Sequence, residues 1–327
     1  MIPFYKRSIN IDASNKCTLE CAACVRQIYR KNNWTIPGED LTLSQFDKLT
    51  NYFKKVSFCG TFSDPIFNLN FADILKLCKE KNIETQISTS ASHRPIKWYK
   101  EIFKSYSKAK WIFGIDGLPN ESHKYRIHQN GEYLFDIMLM AHYQNIPVQW
   151  QYIVFDYNKN SIEKAKKIAK FHKIPFVLIY SNRNIDMNKD IKNTYNKAEI
   201  KNIINKNKKN VSYKASDLNE NLETKINPKC LLSDRDLSFS NTGHIMPCCW
   251  LNTRYKENGI SKLFDNKHHI DNNTTVEDII NSKDWNDFFE TLKNNPSKAP
   301  LTCKRFCSNN VNDNPEETKI RYENNLL

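Results

Sequence analysis

Three cysteines stand close together near the start of the chain: Cys17, Cys21 and Cys24, in the run Asn15-Lys-Cys-Thr-Leu-Glu-Cys-Ala-Ala-Cys24. Three thiolates hold three irons of a [4Fe-4S] cubane and leave the fourth iron open. A cluster that only carries electrons is closed by four cysteines. An open iron is what a cluster needs to bind a small molecule. The plainer alternatives are a structural zinc site, a disulfide or three buried thiols. Zinc sites show paired C-x2-C knuckles and four ligands, and a disulfide leaves one cysteine over, so the C-x3-C-x2-C spacing favours the open cluster.

A second group lies far along the chain: Cys230, Cys248, Cys249, Cys303 and Cys307. Its pattern is Cys230-x12-Gly243-x4-Cys248, then a helix, then Cys303-x3-Cys307. Gly243 permits a hairpin turn that returns Cys248 toward Cys230. Four placed thiolates, Cys230, Cys248, Cys303 and Cys307, would close a second [4Fe-4S] cluster, with Cys249 pointing away or replacing Cys248. A zinc knuckle on the same four ligands is the structural alternative. Cys59 and Cys78 are isolated and read as core thiols.

The elements that must position these groups follow from periodicity. Ile9 and Ile11 alternate with Ser8, Asn10 and Asp12, so a short strand delivers the first cysteines at its carboxyl end. Thr42 and Gln45 form a capping box ahead of a helix with Phe46, Leu49 and Phe53 on one face. Val56 to Gly60 reads as a strand, and Asn70 as the cap of a helix bearing Ile74, Leu75 and Cys78. Strands over Ile83–Ile87, Ala109–Asp116, Val148–Phe155 and Ile174–Tyr180 alternate with helices opened by Pro95, over Tyr133–Asn145 and over Ser161–His172. Six strand–helix units require a parallel sheet. They are too few for a closed eight-fold barrel, which leaves a partial (β/α)6 barrel. Val276 to Leu292 reads as one amphipathic helix.

Residues 1–182 form this core. Residues 183–229 are dominated by Asn and Lys and read as a linker or insertion. Residues 230–312 form a small cysteine-rich domain, and 313–327 a loose polar tail. Ten cysteines without a secretory signal point to a reducing, cytoplasmic setting in which clustered thiols bind metal. No apolar run has the length of a membrane helix. Net charge is +13, but the excess is largely lysine mixed with asparagine, so it is only a weak pointer to nucleic acid.

Together these features resemble the radical S-adenosylmethionine (radical SAM) enzymes, in particular the subgroup with a SPASM or twitch auxiliary-cluster domain. The triad matches that family's cluster loop. Phe58-Cys-Gly-Thr-Phe-Ser-Asp-Pro65 resembles its strand-two motif, usually Gly-Gly-Glu-Pro, which implies Gly60, Ser63 and Asp64 near the cofactor's amino group. Ile87-Ser-Thr-Ser-Ala91 resembles the third-strand segment. Phe113-Gly-Ile-Asp-Gly117 with Tyr125-Arg126 resembles the Ser-Ile-Asp-Gly…Tyr-Arg stretch. Gly114 takes the place of the usual Ser, Ala23 that of an aromatic that packs on adenine, and Arg126 keeps a charge suited to the cofactor carboxylate. The resemblance implies reductive cleavage of S-adenosylmethionine to a 5′-deoxyadenosyl radical, a reductant such as flavodoxin or ferredoxin, and hydrogen abstraction from a peptide or protein side chain. The alternatives are radical modification of RNA, a nucleoside or another small metabolite, and a non-catalytic Fe-S carrier or zinc-stapled binding module.

Overall fold

Ile9 and Ile11 do alternate into a strand, β1 (Ser8–Ile11), with both side chains fully buried. The computed structural model describes residues 8–181, 211–214, 226–232, 236–307 and 317–322. The chain continues through α1 (Arg26–Lys31), α2 (Leu43–Tyr52), β2 (Lys55–Phe58), α3 (Phe71–Glu80), β3 (Glu84–Thr89), α4 (Ile96–Ser105), β4 (Lys110–Gly114), α5 (Gly131–Tyr143), β5 (Val148–Val154), α6 (Ile162–Phe171) and β6 (Phe176–Ser181). Beyond them come β7 (Val211–Lys214), β8 (Leu237–Phe239), β9 (Ile245–Met246) and β10 (Glu317–Tyr322), with helices at Lys229–Leu232, Val276–Ile280, Lys283–Asn294 and Leu301–Cys307. The strand–helix rhythm expected from the sequence is therefore present. No helix among the described residues is long and apolar enough to cross a membrane.

Two compact units are formed. The first comprises Met1–Lys16, Ile36–Thr85 and Asp217–Val311. Its strands run in the order β2-β1-β8-β9. β1 is parallel to β2, with Ile9 opposite Val56, and parallel to β8, with Ile9 opposite Leu237. β9 returns antiparallel to β8. α2 begins at the expected capping box of Thr42 and Gln45. Its Phe46 packs on Phe58 of β2, which meets Phe71 of α3 edge-on at 5.2 Å. Each such ring contributes roughly 1.5–3 kcal/mol by leaving water.

The second unit comprises Cys17–Thr35, Gln86–Ser216 and Asn312–Leu327. Its strands run β3-β4-β5-β6-β10-β7. β3 to β6 are mutually parallel, with Ile87 opposite Trp111 and Phe113 opposite Trp150. Phe103 of α4 meets Trp111 edge-on at 5.2 Å, and Phe135 of α5 meets Trp150 at 5.1 Å.

Four local expectations change. The helix expected over Val276–Leu292 is two helices. Thr275 and Asp278 box the start of the first, Asn281 ends it, and Ser282 is extended before Lys283. The apolar residues continue across the break, so periodicity alone does not show it. Asn70 precedes α3 without capping it through its side chain, which donates to the Leu41 carbonyl, while Asn68 Oδ1 accepts the Asn70 N–H. Part of the expected loose tail is strand β10, antiparallel to β6 and β7, with Ile320 buried. α1 was not expected. Most of the Asn/Lys-rich stretch at 183–229 lies outside the described residues.

Candidate functional site

All ten cysteines are thiols. The loop carrying Cys17, Cys21 and Cys24 leaves all three partly exposed. It turns tightly: Cys24 N–H donates to Cys21 O at 3.0 Å and Gln27 N–H to Cys24 O at 2.9 Å, after which α1 begins. Glu20 N–H donates to Ile127 O at 3.1 Å, tying the loop to the segment after Arg126. Behind the thiols, Ala22 is buried against Tyr125 and Phe155, with Cys21, Ala23, Ile153 and Tyr157 at the edge. Tyr125 and Phe155 lie 4.4 Å apart, and Phe155 and Tyr157 are stacked. Ala22 thus faces the aromatic cluster most directly, and Ala23 sits beside it.

Arg126 reaches this loop. Its Nη1 is 3.9 Å from Cys21 Sγ, a long sulfur contact. Its Nε is 2.8 Å from Asp116 Oδ2, a charge contact without hydrogen-bond alignment. Asp116 is wholly buried. Its Oδ1 accepts from Ile153 N–H at 2.7 Å, its N–H donates to Ser122 Oγ, and its carbonyl accepts from Tyr157 OH. Burial pushes the Asp116 carboxyl above its ordinary value and Arg126 opposes this. Burial would lower the Arg126 pKa, but Asp116 and Cys21 more than reverse it, so the guanidinium stays charged. Burial raises the Cys21 thiol, with Arg126 again pulling the other way.

Gly114 has a steric reason here. A Cβ on it would collide with Ser90 Oγ and stand 3.0 Å from Arg126 Nη2. Gln129 donates to the carbonyls of Gly114 and Ser90, while its own Oε1 is buried without a hydrogen-bond partner. An unmet buried acceptor costs about 1–3 kcal/mol, so it is a place where a bound N–H would be welcome.

In the first unit, the Gly60–Asp64 loop is organised by Asp12 at the end of β1. Asp12 Oδ2 accepts from the N–H groups of Thr61 and Phe62, both at 2.9 Å, and Oδ1 accepts from Ser63 Oγ at 2.6 Å. A Cβ on Gly60 would collide with Ser63 O and crowd Asp12 Oδ1, so this loop closes only around glycine. Burial raises the Asp12 carboxyl, and these hydrogen bonds hold it back. Asp64 is nearly buried. Its N–H donates to Lys16 O, and its Oδ1 accepts from Ile66 N–H to cap the turn at Pro65–Phe67. Sequence reasoning missed Asp12 as the organiser, because in the alternation of β1 it reads as one more polar residue after Ser8 and Asn10.

The C-terminal thiols also come together in the first unit. Gly243 turns the β8–β9 hairpin with φ +80°. Cys230, Cys248, Cys303 and Cys307 line one cavity with Trp250 and Phe306, whose rings stack at 4.0 Å. Cys249 is exposed and does not line the cavity, whereas Cys248 does. Glu257 holds the start of the Leu301–Cys307 helix through Thr302 N–H at 2.9 Å. Burial first, then the neighbouring thiols, raises Cys248 and Cys303 far above the usual thiol range. Among the described residues no three His, Cys, Asp or Glu side chains are grouped as ligands of a single metal ion. A zinc ion needs its thiolates about 2.3 Å from one centre. The ligands of a cubane bind separate irons and stand wider than those of a single zinc ion.

No family model and no curated protein matches the chain. Solved structures do share its fold. Streptococcus suis SuiB bound to precursor peptide SuiA is similar with a TM-score of 0.56 at 15% identity, over 93% of this chain and 71% of that one. SuiB bound to S-adenosylmethionine gives 0.54 at 13% identity, over 81% and 67%. Native anSMEcpe with bound AdoMet and Cp18Cys peptide gives 0.53 at 14% identity, over 86% and 82%. At such identities the likeness establishes the fold, the α/β architecture of mostly parallel strands expected from the sequence.

Proposed function

We propose that this chain is a radical SAM enzyme acting on a peptide or protein side chain. One observation carries the reading: a loop of three thiols whose middle sulfur faces a buried guanidinium–carboxylate pair. Cys17, Cys21 and Cys24 would hold three irons of a [4Fe-4S] cluster. When bound, that cluster and S-adenosylmethionine supply a reductively formed 5′-deoxyadenosyl radical that removes hydrogen from the substrate.

The chain's own residues do the positioning. Arg126 sets a positive charge beside Cys21, and Asp116, itself held by Ile153 and Ser122, is its buried counter-charge. The Tyr125–Phe155 packing under Ala22 closes the back of the loop to water. The Gly60–Asp64 loop, held in shape by Asp12, is the candidate contact for the cofactor's amino group. Arg126 and Gly114 are the candidates for its carboxylate side, and Ala23 for its adenine. Cys230, Cys248, Cys303 and Cys307 would hold the auxiliary cluster. Two fold neighbours whose structures contain peptides support the peptide substrate. The net charge of +13 would attract acidic residues near the modified side chain. A reductant such as flavodoxin or ferredoxin and a cytoplasmic location complete the proposal.

Anaerobically reconstituted protein with dithionite should convert S-adenosylmethionine to 5′-deoxyadenosine. Equal turnover in a Cys17/Cys21/Cys24→Ala variant would falsify the reading. Deuterium should then pass from deuterated host protein into 5′-deoxyadenosine; transfer from deuterated RNA alone would remove the peptide assignment and leave the radical chemistry.

A further inference from the structure

Asp12 takes one more hydrogen bond than the Gly60–Asp64 loop gives it, and the donor comes from the cysteine-rich part of the chain. Asn252 Nδ2 donates to Asp12 Oδ2 at 3.3 Å, across 240 positions of sequence. Both side chains are buried. The amide is held from its other side as well: its Oδ1 accepts from Ser240 Oγ at 2.6 Å, and that hydroxyl accepts from Thr242 N–H at 3.1 Å. Asp12 Oδ2 already accepts two backbone N–H groups, so the NH2 end of the amide is the one that suits it. Asn252 also ends the turn that begins at a cavity thiol. Leu251 N–H donates to Cys248 O at 3.2 Å and Asn252 N–H to Cys249 O at 3.3 Å, around a single turn over Cys249–Leu251. Cys248, Trp250 and Leu251 line the cysteine cavity, and the next side chain reaches Asp12. All of these residues belong to the first unit.

Resting on the radical SAM reading and its auxiliary cluster, we infer that Asn252 is a positioning residue: through Asp12 it sets the Gly60–Asp64 loop, and so makes binding of S-adenosylmethionine depend on the cluster held at Cys248. Three observations carry this. First, one carboxylate is the shared acceptor of the loop and the turn, so neither moves without changing what the other meets. Second, the path is short and oriented throughout. It runs from Cys248 through one turn to an amide held at both ends, then to Asp12 and three consecutive loop residues. Side chains packed this closely transmit a displacement rather than absorb it. Third, the Asn252 contact is the longest of the four on Asp12, so it is the one that a small shift of the turn makes or breaks. A ligated Cys248 sulfur would fix the start of that turn. The coupling is reciprocal: a cofactor seated on the loop would hold the turn, and with it the cluster, by the same factor.

The test measures equilibrium binding of S-adenosylmethionine to the reconstituted protein without reductant. Asn252→Leu, which keeps a similar volume, should retain the parent's iron and sulfide content and bind the cofactor about fivefold or more weakly. With dithionite, its KM for the cofactor should rise while kcat at saturation stays with the parent. In the protein without cofactor, the Thr61 and Phe62 amides should exchange their hydrogens faster. Cys248→Ala should weaken binding by a similar factor, and adding it to Asn252→Leu should cost little more, because both break one chain of contacts. Losses that multiply would overturn the inference, as would parent affinity in Asn252→Leu. Ser240→Ala is the second variant, since it keeps Asn252 and only frees its amide to turn; it should show the same KM rise with iron retained. Loss of the auxiliary iron in both variants would confine Asn252 to a structural part in the cavity and also overturn the inference. A parent that binds no S-adenosylmethionine would remove the radical SAM reading itself, whereas a binding parent with unchanged variants removes only this coupling.

Discussion

The two thiol groups of this protein are built on opposite electrostatic plans. The N-terminal three are partly exposed and one of them faces a fixed cation, Arg126. The C-terminal four sit around an apolar cavity with each other as their main charged neighbours, and both Cys248 and Cys303 are driven upward by burial and by those neighbours. Held as thiolates, the second group would be costly unless a metal centre neutralised it, as the proposed auxiliary cluster would. The first tolerates a change of charge and a passing ligand, because its counter-charge belongs to the protein.

The largest effects should come from removing ligands. The Cys17/Cys21/Cys24→Ala variant should lose cofactor cleavage while retaining about four irons, the content of one closed cubane. Cys248→Ala should lose that remaining iron and Cys249→Ala should keep it; iron and sulfide analysis separates them. The reverse pattern would exchange their roles, and zinc in place of iron would restore the knuckle.

Breaking the counter-charge comes next. Arg126→Met leaves Asp116 buried and uncompensated, a change that costs about 3–5 kcal/mol. Asp116 already has its pKa raised by burial, and losing Arg126 raises it further. A carboxyl whose folded pKa is raised favours the fold when protonated, so the deficit should be greatest at neutral pH. It should close as pH falls through the raised pKa toward the ordinary value of 3.8. Chemical denaturation across that range measures it, and an Arg126→Met, Asp116→Asn double variant should be less damaged than the single one.

The hairpin that delivers Cys248 supplies a third test. His244 on it is nearly buried beside His269 and Phe264, and burial followed by His269 lowers its pKa to about 4 from 6.5. The folded protein keeps it neutral, whereas the unfolded chain protonates it below 6.5. Stability from this residue is therefore complete above 6.5 and is lost as pH falls toward 4, by at most roughly 3 kcal/mol. His244→Phe should flatten the acid limb of the stability curve; an unchanged limb would show that the ring protonates freely in the fold.

How much of this was legible beforehand depended on whether the signal was local. The thiol spacings, the Thr42–Gln45 box and the Gly243 turn are all contained in short stretches and survive in the structure. The alternation of Ile9 and Ile11 likewise located β1. What could not be read was partnership across sequence distance. Nothing near Asp12 announces that it will gather Thr61, Phe62 and Ser63, and nothing near Asp116 names the Ile153 N–H. The break at Ser282 was hidden because apolar residues continue on both sides of it. β10 was missed because its strand character comes from pairing with β6 rather than from an apolar run.

The smallest expected effect concerns the one departure from the resembled motif that the structure explains outright. The usual residue at the place of Gly114 is Ser, and here a Cβ would strike Ser90 Oγ and crowd Arg126 Nη2. Gly114→Ser should therefore cost about 1–3 kcal/mol by overpacking, although serine is what the motif ordinarily carries. Ser90→Ala removes the nearest obstacle and leaves the guanidinium in place, so the double variant should recover part of the loss. Thermal denaturation of the four proteins completes the cycle. Recovery would show that Ser90 and Gly114 share one space, and that this chain spends it on Arg126 rather than on a second hydroxyl. If Gly114→Ser is neutral, the Arg126–Asp116 pair has room to shift, and the fixed counter-charge that separates the first thiol group from the second is weaker than the geometry implies.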